Sequence, residues 1–405
     1  MIELTLLLVM IFAFSLFSRR MEGTVLTPPM LFVLAGMLVG PEVLGLARGN
    51  FESKTMLVVG EIALSLLLFT DAVRVGRHLS EAGPRLAGRL LGIGMPLTIV
   101  LGTAIGAVLL LKLTLLEVAI VATVLAPTDA ALGHAVVSNE RVPLRIRRAL
   151  TVEAGLNDGL SVPFLMLFLV LAKAEQEVAP FAFFVKVAFQ QIGLGVLAGI
   201  VAGGVGGWLL HQASTRKWLS DAYAGLGAMS LALIAYVFAG AMGGNGFIAA
   251  FVGGLATGRV AKEVGERVSE FAEEEGQLLN FAVFFVFGMV AITVLRGLTW
   301  QIALYAVLSL TIIRMAPVAL ALRKQGFSRD AVLFLGWFGP RGLASIVLGL
   351  IVVEEAPQVA DRGIIQVVVI ATVLLSVLAH GITAAPLSEA FARRSTPAVK
   401  PAPDP

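Results

Sequence analysis

Residues 124–133 read VLAPTDAALG and residues 337–346 read WFGPRGLASI, two otherwise apolar runs interrupted by a proline beside an ionisable side chain, Asp129 in one and Arg341 in the other. Proline inside a helix removes a backbone donor and clashes with the preceding turn, so Pro127 and Pro340 each predict a broken helix with freed carbonyls and uncompensated half-helix ends. In an apolar segment such irregular backbone survives only under cover of protein or beside a water-filled cavity. Two breaks therefore predict a packed, all-helical core.

The chain around them has 405 residues, of which 58% are hydrophobic and 14% charged, with a mean hydropathy of +0.92. That balance excludes an ordinary soluble domain and predicts a polytopic membrane protein. Thirteen spans can be placed at about 2–18, 25–46, 55–73, 86–111, 115–138, 147–172, 180–210, 219–241, 246–261, 275–295, 299–322, 330–354 and 363–391. The first carries Glu3 where a signal peptide has basic residues and is followed by Arg19-Arg20, so it reads as a retained helix. Lys and Arg fall in alternate loops, 21 of 30 on one side. This predicts an outside N-terminus and a cytoplasmic C-terminus in a prokaryotic-type plasma membrane. The net charge of +3 then reports topology and not a nucleic-acid partner, since no basic run is interleaved with stacking aromatics. The proline-rich end, residues 392–405, reads as a short disordered tail. The absence of cysteine excludes thiolate chemistry.

Counted along these spans, the breaks lie in the fifth and the twelfth. Taking spans 1–6 and 8–13 as two inverted repeats places both fifth in their repeat, the pattern of crossed discontinuous helices around a midplane transport site. The sixth span carries "TVEAGLNDGLSVP", residues 151–163, with Glu153, Asn157 and Asp158 inside an apolar run. Glu153 and Asn157 share one helix face and Asp158 lies about 100° further round. A charge at mid-bilayer costs at least about 2.5 kcal/mol, so the cluster reads as functional. Asp71, Asp129, Glu153 and Asp158 face two intramembrane arginines, Arg314 and Arg341, so acid is in excess and must be protonated or hold a cation. A carboxylate removed from water favours its proton and a bound cation opposes this, so one such group can exchange the two. Asp158, Thr128 and break carbonyls offer hard oxygen ligands.

These motifs resemble the NhaP and NHE branch of monovalent cation/proton antiporters: EAGLNDG matches the family's Glu-x-x-x-Asn-Asp motif, LAPTDA its Thr-Asp motif, FGPRGLAS its Gly-x-Arg-Gly motif, and LLLFTDAV a third-span motif. The resemblance covers residues 2–391. It implies the NhaA-like antiporter fold, with core helices at about 86–172 and 299–391, scaffold and dimer helices at about 2–73 and 219–295, and a linking helix at about 180–210. Implied roles are Asp158 as ion and proton carrier, Asn157 shaping the site, Thr128 giving an oxygen to the cation and Asp71 reaching the site directly or through water. Glu153 is implied to pair with Arg314, and Asp129 and Arg341 to offset the half-helix ends. Exchange would be electroneutral, one cation, Na⁺ before Li⁺ or K⁺, for one proton, in a homodimer in membrane lipid without a cofactor or enzymatic activity. Two positions depart from the pattern: Ala154 stands where some members have a coordinating Ser, and Asp71 where Glu is usual.

Two other readings weigh less. Asp129 and Asp158 could form the dyad of an intramembrane aspartyl protease, but no Gly-x-Gly-Asp motif is present and a nearby Arg would spoil proton sharing. An anion carrier or a channel on the same core conflicts, for the anion, with the acid excess. The histidines, His78, His134, His211 and His380, lack metal spacing, and the glycine run at 193–207 reads as close helix packing.

Overall fold

Each of the thirteen apolar stretches holds one helix or a broken pair in the computed structural model, which describes residues 2–21, 24–46, 53–78, 84–137, 139, 141–176, 181–356, 359 and 361–395. In order these are α1 (Ile2–Met21), α2 (Pro28–Val39), α3 (Ser53–His78), α4 (Pro84–Arg89) with α5 (Met95–Leu109), α6 (Leu115–Val124) with α7 (Ala130–Val137), α8 (Leu144–Gln176) and α9 (Phe181–Thr215). There follow α10 (Asp221–Ala241), α11 (Gly246–Val260), α12 (Lys262–Leu295), α13 (Trp300–Leu310) with α14 (Ile312–Ala321), α15 (Arg329–Trp337) with α16 (Leu343–Glu355), and α17 (Arg362–Ser395). No strand occurs among the described residues. Eight of the helical segments among them are long and apolar enough to cross a membrane. The chain is an integral, multi-pass membrane protein.

Local chemistry sets the boundaries. The second span is shorter than expected, because Pro28 and Pro29 open α2 and Gly40-Pro41 follow its last turn. Thr114 and Glu117 form a reciprocal capping box at the start of α6, with bonds of 2.9 and 3.2 Å, which gives the buried Glu117 a structural task. Two interruptions have no counterpart in the expected spans. A π-helical turn, Leu90–Gly94, joins α4 to α5 just ahead of Pro96, and α13 breaks from α14 at Thr311, with φ −108° and ψ −95°, two turns before Pro317. Pro96 and Pro317 each lack the amide that the carbonyl four residues back would need, Gly92 in the π-helical turn and Ile313 in the first turn of α14. At the other end α17 continues to Ser395, past the expected boundary at 391, and residues 396–405 of the expected tail lie outside the described residues.

Glycine brings several helices into backbone contact. A Cβ on Gly195, Gly199 or Gly203 of α9 would collide with the backbone of α11 at Asn245, Ala249 and Gly253. The same holds for Gly254 and Gly258 of α11 against Phe69 and Val73 of α3, and for Gly36 of α2 against Phe285 of α12. Without a hydrophobic drive between helices in lipid, such close approach and its van der Waals contact hold the bundle. Helix α1 has no buried residue and is fixed through Phe14, edge-on to Phe32 and Phe281, which stack on each other at 4.3 Å.

The two broken pairs, α6 with α7 and α15 with α16, meet at their breaks: the Asp129 amide donates to the Pro340 carbonyl at 2.8 Å. Helix α8 packs along α6 and α7, and α17 along α16 and α7. The crossing is thereby enclosed by long continuous helices.

Candidate functional site

At the crossing, one acid and one base serve the broken backbone. Asp129 Oδ1 accepts from the Leu132 amide in the first turn of α7 at 3.1 Å, and Oδ2 from the Leu343 amide, the first residue of α16, at 2.8 Å. A single carboxylate thus caps two helix N-termini, where free N–H groups and the helix dipole favour negative charge. Arg341, fully buried, turns the opposite way: its Nη1 donates to the carbonyls of Ala126 and Pro127 beyond the C-terminal end of α6, the latter at 2.8 Å. Gly342 makes room, since a Cβ there would overlap the Asp129 carboxylate. Both oxygens of Asp129 are thereby engaged by backbone N–H donors of the two breaks.

Helix α8 brings the motif residues to this crossing. Glu153 Oε1 accepts from Arg314 Nη1 at 2.5 Å, both side chains being about 3% exposed. Arg314 stands in the first turn of α14, directly after the Thr311 break, and its guanidinium lies against Gly339, where a Cβ would meet it. One turn on from Glu153, Asn157 Nδ2 donates to Thr128 Oγ1 at 2.6 Å, so the amide of α8 holds the hydroxyl of the first break. Asp158 is 5% exposed, and its Oδ1 is buried with no hydrogen-bond donor among the described residues. The charges in electrostatic reach of it are Asp71, Asp129 and Arg341.

Asp71 stands apart from the others. It is only partly buried on α3, where it faces Gly155 of α8, and a Cβ on that glycine would lie 3.7 Å from Asp71 Cβ. That places it about one helical turn along α8 from Asp158, with Arg74 and Asp129 as its charged neighbours. Ala154 is buried and brings no oxygen to the site. Among the described residues no three His, Cys, Asp or Glu side chains gather as a metal-binding group. The side chain of His134 lies outside the described residues.

The arrangement offers a buried carboxylate oxygen without a donor among the described residues, a hydroxyl held by an amide, and charged groups of the two breaks around them. A hard monovalent cation or a proton suits such oxygens. A model of the family described as sodium/hydrogen exchanger, transmembrane, matches residues 4–390. The chain belongs to the sodium/hydrogen exchanger family. Within the family it is similar to the K(+)/H(+) antiporter NhaP of Alkalimonas amylolytica, 26% identical over 356 residues, covering 86% of this chain and 60% of that one. It is also similar to the Na(+)/H(+) antiporter ApNhaP of Aphanothece halophytica, 28% identical over 284 residues, covering 65% and 51%. The chain thus spans a little over half the length of the curated relatives it matches. Its fold is that of the sodium proton antiporter MjNhaP1 from Methanocaldococcus jannaschii at pH 8, with a TM-score of 0.78 at 19% identity over 97% of this chain and 98% of that one.

Sequence reasoning passed over the role of several residues that hold this chain's crossing. Ser376 of α17 accepts from the Arg341 amide at 2.6 Å, and His380 contacts the carbonyl of Trp337, the last residue of α15. Neither has a motif around it. Pro317 was the available signal for the Thr311 break that aims Arg314.

Proposed function

We propose that this chain exchanges a monovalent cation for a proton by competition at Asp158 and is a carrier, not an enzyme. The observation that carries the reading is the buried Asp158 oxygen without a hydrogen-bond donor, one residue from the Asn157–Thr128 pair and within reach of the crossed breaks. A cation would be held by Asp158 and Thr128, with Asn157 orienting the hydroxyl and Asp71 reaching the site from α3. Glu153–Arg314, Asp129 and Arg341 form the surrounding structural charge network. Binding of either ion neutralises Asp158. An empty, charged carboxylate resists crossing an apolar barrier, so only the loaded core moves.

In this reading residues 86–172 and 299–391 move against a scaffold of 2–73 and 219–295, with 180–210 as the linking helix. The seams between α3 and both α8 and α16 support it, since they bring Asp71 to the moving side. Stoichiometry of one to one follows from the Asn-Asp pair by resemblance, as does a homodimer. An outside N-terminus and cytoplasmic C-terminus in a plasma membrane follow from the Lys and Arg distribution. Na⁺ is the expected cation. K⁺ is the second reading, favoured by the names of the NhaP relatives from Alkalimonas and Shewanella.

The test is cation-driven proton movement in proteoliposomes, comparing Na⁺, Li⁺ and K⁺ with and without an imposed membrane potential. Exchange indifferent to the potential supports the one-for-one carrier and names the ion. No proton movement with any of the three overturns the reading.

A further inference from the structure

Three side chains at i, i+4 and i+7 on one face of α17, Ser376, His380 and Thr383, meet the segment between α15 and α16. The Arg341 amide donates to Ser376 Oγ at 2.6 Å, Ser376 Oγ lies 3.1 Å from His380 Nδ1, and His380 Nε2 lies 2.9 Å from the Trp337 carbonyl. Thr383 Oγ1 accepts from Trp337 Nε1 at 3.0 Å. Both ends of the break, Trp337 and Arg341, are thus pinned to one helix.

The Trp337 carbonyl only accepts, so His380 Nε2 engages it as a donor, and Ser376 Oγ accepts from the Arg341 amide. His380 Nδ1 stands beside two Ser376 oxygens, Oγ at 3.1 Å and the carbonyl at 3.0 Å, so the ring ties Ser376 to Trp337. Ser376 and His380 are 0% and 1% exposed, so water does not substitute for either partner. Beyond these bonds, the Arg341 side chain grips the Ala126 and Pro127 carbonyls, next to Thr128.

We propose that Ser376 and His380 are positioning residues that set the backbone of Arg341 and, through its hold on Ala126 and Pro127, the placement of Thr128 and hence the affinity for the transported cation. The inference rests on the antiport reading above.

It is tested by reconstituting the full chain as wild type, Ser376→Ala, His380→Leu and His380→Gln, and measuring the half-saturating cation concentration and maximal rate per folded transporter. Ser376→Ala and His380→Leu are expected to raise the half-saturating concentration about three- to tenfold, the range of one lost intramembrane hydrogen bond. The maximal rate should hold within about twofold, because the ion ligands themselves remain. His380→Gln, whose side-chain amide can still donate to the Trp337 carbonyl, should recover most of the affinity. Nitrogen-15 NMR of the His380 ring should find Nε2 protonated, as donation to the Trp337 carbonyl requires. Unchanged half-saturation in both disruptive variants, a loss confined to the maximal rate, no recovery in His380→Gln, or an unprotonated Nε2 would overturn the inference. Absence of exchange in the wild type refutes the antiport reading, whereas wild-type exchange with unaltered variants refutes this inference alone.

Discussion

Removing Glu153 should destabilise the protein far more than removing Glu153 together with Arg314. The pair is buried on both sides, at 2.5 Å, and Arg314 Nε and Nη2 are buried with no hydrogen-bond acceptor, so among the described residues Glu153 is the acceptor that guanidinium has. With charge centres about 4 Å apart and an effective dielectric near about 20, the attraction is about 4 kcal/mol. That agrees with the about 3–5 kcal/mol lost when one partner of a buried pair is deleted, because an uncompensated charge stays behind. Glu153→Leu also exposes Arg341 to Arg314 without the acid that lies within reach of both. Glu153→Leu with Arg314→Met removes both charges and should return to within about 2 kcal/mol of wild type, since buried pairs are often replaceable by packed apolar groups. The assay is reversible unfolding in detergent on the four proteins of the cycle, with a coupling energy of at least about 4 kcal/mol expected. A double variant as unstable as Glu153→Leu, or a coupling under about 0.5 kcal/mol, would refute the assignment of the pair as the anchor between α8 and α14.

Three more outcomes follow from the crossing. Thr128→Val keeps the shape but removes the oxygen that accepts from Asn157, so the half-saturating cation concentration should rise by about tenfold, read from cation titrations of transport. Gly342→Ala drives a methyl into the Asp129 carboxylate and should cost at least about 2 kcal/mol in the same unfolding assay, with transport lost. Asp129→Asn keeps one acceptor oxygen for two helix N-termini and should cost about 2–3 kcal/mol, and hydrogen exchange should quicken at either Leu132 or Leu343.

Much of the fold is readable in the sequence because its strongest signals are local. Pro127 and Pro340 mark the two breaks from their own chemistry, and the alternation of Lys and Arg fixes the count of spans between them. Thr114-x-x-Glu117 is a capping box in plain view, although an acid near a membrane invites a functional reading instead. Hydropathy alone reads the second span too long, because the apolar run continues through Gly40-Pro41, which stop the helix. Pro96 and Pro317 carry the same kind of signal, but neither has a charge within two residues as Pro127 and Pro340 do, Arg314 standing three before Pro317. The site divides along the same line. Asn157 and Asp158 announce themselves as polar groups in an apolar helix, whereas Ser376 and His380 matter only through partners 35 to 43 residues away, a distance that no periodicity reports.

The central claim is that one carboxylate, Asp158, holds either the proton or the cation. It is tested most directly by adding Na⁺ or K⁺ to purified protein in weak buffer, at the pH of half-maximal exchange, and counting the protons released. The account predicts release by the wild type that saturates with cation concentration, and none from Asp158→Asn. Equal release from Asp158→Asn would contradict it, and so would cation binding by the wild type with no proton released.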